Sequence, residues 1–511
     1  MTDCRQETAS DAPDDGSRVL TQSSPGRYRL RSGVRREGQV LICERPLVCT
    51  RLNDAAVSVV DALSTECYRS PAVVAAETGM NHDAVVTLLN RLYERDVLAW
   101  EPARDPAHTP PVSVVVTVRN AADHIDECLD ALAALSYPEY EVIIVDDGST
   151  DGTRTLVANH GSHPRLVTVG TPAAALGIGS SREAGVEAAT HEVVAFTDAD
   201  CRPDLRWLAE LVPALAAHDI VGGRVRPASD AGAGAYEAVT ASLDMGPRAD
   251  RVSPGGSTPY LPTANFVARR AVLSEVGFPD RNIAEDVHCC WTALDRGYDV
   301  VYDPRGVVEH VYDERRFGSR RRAYGASEAL LATEFDSAGS IPLPVAGVAV
   351  ALVVLTALAG SLIGALPAAV GVGGVALAAV FATASVARDR IRAERYVGTK
   401  PIVASLGRRS LSAMYLLMRE FTRYYSLPIV LGATVVLLRW PTVGSLLLAG
   451  LVAVVTLPAV VEYVIHRPAT SPLRYLRWYL HDHFAYQVGV YRGAVVHRTG
   501  RHLDPMRRFN R

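Results

Sequence analysis

Two stretches of the chain, Ile341 to Ala387 and Leu427 to Ile465, are almost free of charged side chains, although charged residues make up 21% of the whole. The apolar content, 48% of 511 residues, is therefore concentrated. About 20 apolar residues in a helix cover the roughly 30 Å hydrocarbon core of a bilayer. The last third is thus expected to be membrane, while the rest folds in water. Val345 to Ile363, Ala368 to Ala387 and Val443 to Ile465 are each long enough to span, and Leu427 to Leu438 is a shorter, tilted or incomplete crossing. Arg315, Arg316, Arg320, Arg321 and Arg322 precede this region, Arg388, Arg390, Arg392 and Arg395 lie inside it, and basic residues crowd the chain after Arg467. Excess Lys and Arg mark the cytoplasmic side, which predicts four spans in the cell membrane with both flanks cytoplasmic. An amphipathic stretch, about 402–425, sets Arg408, Arg409, Arg419 and Arg423 beside Met414, Leu416, Leu417 and Phe421, as an interfacial helix or a plain loop helix would.

The soluble part divides further. Residues 1–25 are polar and acidic, and read as a disordered tail without a signal peptide. Residues 26–100 read as strands, then three helices, then a strand, a small winged-helix-like α+β domain. Its last helix carries few basic residues, and a net charge of −4 adds no case for nucleic acid; a peptide or partner surface fits better. The linker 101–111 is Pro-rich. From 112 to 335 the pattern alternates: strands at Val112 to Val118, Glu141 to Val145, Arg165 to Val169 and Val193 to Thr197, with helices between them. That rhythm predicts an α/β domain with a mostly parallel sheet, whose ligands sit beyond the carboxyl ends of the strands. Residues 467–511 form a basic tail. The eight Cys show no CxxC spacing and read as reduced thiols.

The strand ends carry the chemistry. Val142 to Val145 runs into Asp146, Asp147, Gly148, Ser149, Thr150 and Asp151. A carboxylate there can accept from a nucleobase or ribose, or cap the next helix, as Ser149 or Asp151 would. Val193 to Thr197 runs into Asp198, Ala199 and Asp200, a pair able to grip a ribose hydroxyl and a hard divalent cation. Glu285 and Asp286 precede an apolar helix and are either a cap or a general base. His310 ends a strand-like run and could complete a metal shell, contact a phosphate or lie at the surface.

Together, Val114 to Asn120, Val145 to Asp151, Asp198 to Asp200, and Gly277 and Phe278 followed by Glu285 and Asp286 resemble the family 2 glycosyltransferases of the GT-A fold, over about 112–325. The resemblance implies that Thr117, Arg119 and Asp147 contact uridine, that Asp198 and Asp200 hold ribose and metal–diphosphate with Mg²⁺ or Mn²⁺, and that Asp286 is the base of an inverting transfer. It places Arg182 near the nucleotide, although the Asn that usually follows that arginine is Glu183 in this chain. His310 is the further metal candidate, and Glu285, Arg321 and Tyr324 are the acceptor candidates. Arg320 to Gly325 departs from the Gln/Arg-x-x-Arg-Trp motif of processive members, which argues against long-polymer synthesis.

The whole order, a small domain similar to PqqD-like peptide-binding modules, a GT-A domain and then spans, resembles the membrane glycosyltransferases of the mycofactocin system. That resemblance implies glucose transfer from UDP-glucose to a peptide-derived redox cofactor precursor, (pre)mycofactocin, building a β-1,4-glucan, with the acceptor docked by 26–100 and membrane lipids as neighbours. A family 2 enzyme acting on a lipid or polysaccharide is the enzymatic rival. A nucleotide-sugar-sensing receptor is the non-enzymatic one, although a sensor has no need of a base.

Overall fold

The computed structural model describes residues 25–44, 47–228, 232–240, 242–335 and 399–504. In chain order the elements up to residue 118 are β1 (Gly26–Leu30), β2 (Val34–Glu37), β3 (Val40–Glu44), β4 (Leu47–Arg51), α1 (Asp54–Asp61), α2 (Pro71–Thr78), α3 (His82–Glu94), β5 (Leu98–Pro102) and β6 (Val112–Val118). Then come α4 (Ile125–Ala133), β7 (Tyr140–Asp147), α5 (Thr153–Asn159), β8 (Arg165–Gly170), α6 (Ile178–Ala188), β9 (Val193–Asp198), β10 (Cys201–Pro203), α7 (Trp207–Leu211) and β11 (Ile220–Pro227). They are followed by α8 (Gly232–Thr240), β12 (Asp250–Arg251), β13 (Phe266–Arg269), α9 (Arg270–Val276), α10 (Glu285–Asp295), β14 (Val300–His310) and α11 (Phe317–Glu334).

The chain divides into two compact units, one of Met1–Arg29, Leu63–Asn90 and Ala99–Glu314, the other of Leu30–Ala62, Arg91–Leu98 and Arg315–Arg511. Residues 26–100 thus contribute to both. In the first unit β1 pairs with β5. Tyr28 of β1 is buried, its hydroxyl donates to Asn90 Oδ1 at 2.7 Å, and the Arg251 guanidinium lies over both the Tyr28 and the Trp100 rings. In the second unit β2, β3 and β4 form an antiparallel meander, and Asn53 caps α1 by accepting from Ala56 N.

A nine-stranded sheet dominates the first unit, in the order β10-β14-β11-β13-β9-β6-β7-β8, with β12 against β14. Val112 and Val114–Val116 of β6 and Ile143–Val145 of β7 are fully buried, as expected for strands covered on both faces. Strands β9, β6, β7 and β8 run parallel, so their carboxyl ends share one edge. The expectation of a mostly parallel sheet holds in the other half too, where β11 and β14 pair parallel, but three antiparallel strands, β10, β12 and β13, make the sheet mixed. There β13 lies antiparallel between β9 and β11, and β10 is antiparallel to β14. The chain enters β13 through a short 3₁₀ turn, Thr263–Asn265, and antiparallel neighbours need no crossover helix.

In the second unit the small residues of α11 and the helix Pro472–Val496 let the two backbones meet. A Cβ on Gly325 would sit 2.1 Å from Tyr486 O, and one on Gly489 would sit 2.0 Å from Arg322 O. Upstream, helix Thr399–Tyr424 covers the amphipathic stretch, followed by Ser426–Arg439 and Pro441–His466. Among the described residues one helix, Leu448–His466, is long and apolar enough to cross a membrane; Leu411–Tyr424 with Ser426–Arg439 qualifies only as a pair bent by 79°. Leu438 and Val464 are 82% and 63% exposed, so these helices present apolar faces. The expected spans at 345–363 and 368–387 lie outside the described residues. Six described Cys are free thiols, whereas Cys67 is disulfide-bonded, against the expectation of reduced thiols throughout.

Candidate active site

The parallel strands bring the predicted motifs to one edge. Thr117 stands in register between Val145 of β7 and Asp198 of β9, and Arg119 follows it, exposed. Asp147 is buried and commits its carboxylate to the loop between β8 and α6, Oδ1 accepting from Leu176 N at 2.7 Å and Oδ2 from Gly177 N at 3.0 Å. The turn directly after β7 needs glycine: Gly148 has φ +72°, and a Cβ there would meet Thr171 O at 2.3 Å. Asp146 is fully buried and pairs with Arg154 Nε at 2.6 Å, a partner not foreseen from the sequence. Asp151 accepts from Thr153 N at 3.0 Å, the capping role expected of it.

Asp198 ends β9, and Arg182 of α6 donates to its Oδ1 at 3.1 Å. The other arm of the same guanidinium donates to Glu285 Oε1. Burial works against the charge of Arg182, but Glu285 and Asp198 outweigh it and hold its pKa above the usual value. Burial raises the pKa of Asp198, Asp200 adds to the rise, and Arg182 opposes it. Beside Glu285, at the start of α10, Asp286 accepts from Val287 N at 2.8 Å. Burial and then the neighbouring Glu285 push its pKa up to about 7, against the pull of Arg182. A carboxyl that titrates near neutrality suits a general base.

Asp200 lies in the turn between β9 and β10. Its Oδ1 is 3.5 Å from His310 Nε2, and His310 is 3% exposed, with Nδ1 buried and without a hydrogen-bond partner. Cys201, opposite His310 in the antiparallel ladder, completes a group whose ligand atoms all lie within 4.8 Å of one another. Burial, and then Asp200, raise the pKa of the Cys201 thiol well above normal, which leaves a carboxylate oxygen and an imidazole nitrogen as the donors. An oxygen–nitrogen pair with open positions suits Mg²⁺ or Mn²⁺ shared with diphosphate oxygens. The residues present fit such an ion.

Sequence reasoning missed the ties between α6 and the loop before α10. Glu183 accepts from Phe278 N, Asn282 Oδ1 accepts from Ile178 N at 3.0 Å, and Ser180 donates to Asp280 at 2.7 Å. These partners lie far apart in sequence, and no local pattern announces them. Arg321 and Tyr324 fall in the second unit, where buried Arg321 pairs with Asp482 at 3.1 Å and lies over the rings of Phe317 and Tyr324.

A family model described as glycosyl transferase family 2 matches residues 113–277. An uncharacterized glycosyltransferase of Mycobacterium bovis is 33% identical over 201 residues, 38% of this chain and 86% of that protein. A pre-mycofactocin glycosyltransferase of Mycobacterium tuberculosis is 28% identical over 435 residues, 81% of this chain and 86% of that protein. Among solved structures, the mannosyltransferase PcManGT of Pyrobaculum calidifontis, in complex with GDP-Man and Mn²⁺, is 22% identical with a TM-score of 0.38, covering 71% of this chain and 91% of that one. The matched span holds the strand-end carboxylates Asp147, Asp198 and Asp200, and by the family model and the Mycobacterium bovis relative the chain, an α/β fold, belongs to the family 2 glycosyltransferases.

Proposed function

We propose that this glycosyltransferase moves glucose from UDP-glucose to a peptide-derived cofactor precursor, pre-mycofactocin, with inversion, at the cytoplasmic face of a membrane. The observation that carries the chemistry is the bridge through Arg182, which ties the acidic start of α10 to Asp198. The relative in Mycobacterium tuberculosis that matches along 81% of the chain supports the acceptor. The exposed apolar helices support the membrane.

On this reading Thr117, Arg119 and Asp147 take the nucleoside, and Asp198 takes the ribose. Asp200 and His310 would hold Mg²⁺ or Mn²⁺, which neutralises the charge developing on the departing diphosphate. Asp286 accepts the proton of an acceptor hydroxyl as that oxygen bonds to the anomeric carbon. The bond from that carbon to the diphosphate oxygen breaks, and UDP leaves. One displacement on one carbon inverts its configuration. Residues 26–100 would dock the peptide-derived acceptor, and Glu285 would face it.

The test uses the full chain in membranes with Mn²⁺, UDP-glucose and the purified aglycone, read by mass spectrometry. Additions in whole hexose steps are expected. Sugar appearing in a lipid fraction, with the aglycone untouched, would reject the acceptor and keep the transferase.

A further inference from the structure

Arg182 lies beside the strand-end carboxylates, 2% exposed, with its two arms committed to Glu285 and Asp198 and its guanidinium carbon 5.9 Å from the Phe278 ring centre. The helix that carries it is tied on two sides. At its start, Leu176 N and Gly177 N donate to Asp147 of the donor-side strand β7. Along its first turns, Gly179 N donates to Arg281 O at 3.1 Å, Ile178 N to Asn282 and Ser180 to Asp280, all in the loop that leads into α10. That loop ends at Ala284, a non-glycine residue held at φ +56° directly before Glu285 and Asp286. Left-handed backbone at a residue with a Cβ persists only where its surroundings over-determine it, and α6 holds the residues just before it, Asp280, Arg281 and Asn282.

We propose that Arg182 is a positioning residue that touches neither nucleotide nor acceptor and instead couples the base-bearing start of α10 to β9 by bridging Glu285 and Asp198. The proposal rests on the transferase reading given above. A planar guanidinium can donate along two directions at once, whereas an ammonium is a single point of charge. Without the bridge, Glu285 and Asp198 are left as like charges with no cation between them, and the start of α10 loses its tie to β9. A displacement of about 1 Å at a reacting group costs on the order of 100-fold in rate.

The experiment uses the full-length enzyme and two readouts, the UDP dissociation constant with Mn²⁺ and kcat for hexose transfer. Arg182→Met is expected to lower kcat about 100-fold while the UDP dissociation constant stays within about threefold, and Arg182→Lys is expected to recover part of that loss. Adding Glu285→Gln to Arg182→Met should cost much less than the product of the two single losses, since residues acting through one contact are not additive. If Arg182→Met does not fold, the same comparison is made with Arg182→Lys, which keeps the charge. UDP binding weakened in step with kcat, or single losses that multiply, would overturn the proposal. A wild-type enzyme that binds UDP and transfers no hexose would instead reject the transferase reading itself.

Discussion

Arg182 in the α/β unit and Arg321 in the helical unit are both buried guanidiniums paired with carboxylates, yet their surroundings differ in kind. Around Arg182 stand Asp198, Glu285 and Asp286, more acid than one cation can neutralise, and Asp286 is pushed up to about 7. In the helical unit three acids each have their own partner. Asp482 has Arg321, Glu328 accepts from the hydroxyls of Tyr424 and Tyr486, and Glu462 accepts from Tyr415 and Tyr475. A surplus of half-buried acid leaves a group ready to take a proton, whereas matched partners make a joint between helices.

The contrast can be broken most severely at the metal candidates. Asp200→Ala, or chelation of the wild type, should lower hexose transfer by about 10³-fold or more, and added Mn²⁺ should restore only the chelated wild type. The next effect is on pH dependence. Because the raised pKa of Asp286 must be passed before it can act as a base, kcat/KM should rise with pH up to about 7 and fall about tenfold per unit below it; a flat profile between about pH 5.5 and 8 would exclude Asp286 as the base. In the helical unit, Gly325→Val forces a side chain into the 2.1 Å contact with Tyr486 O. It should cost about 1–3 kcal/mol, read as a lower thermal midpoint in detergent, with UDP affinity unchanged. The smallest effect is expected for Glu328→Gln, whose amide oxygen can still accept from the two tyrosines, about 1 kcal/mol by the same measurement.

What was legible in the sequence follows the same division. Val112–Val118 and Thr153–Asn159 have the ends expected of them, because unbroken apolar runs and a capped helix start are local signals. The three acidic motifs were legible for the same reason, each ending or preceding an apolar run. The antiparallel insertion of β13 was not, since register is decided by partners distant in sequence. Nor was the place of Arg182, whose bond to Glu285 spans 103 residues. The close approach of α11 to Pro472–Val496 hangs on single glycines that carry no apolar periodicity.

The most direct measurement compares wild type with Asp286→Asn in one preparation, scoring both UDP binding and hexose transfer. The account predicts that transfer falls by about 10²–10⁴-fold, the contribution of a general base, while UDP binds as before. Transfer at the wild-type rate by Asp286→Asn would contradict it.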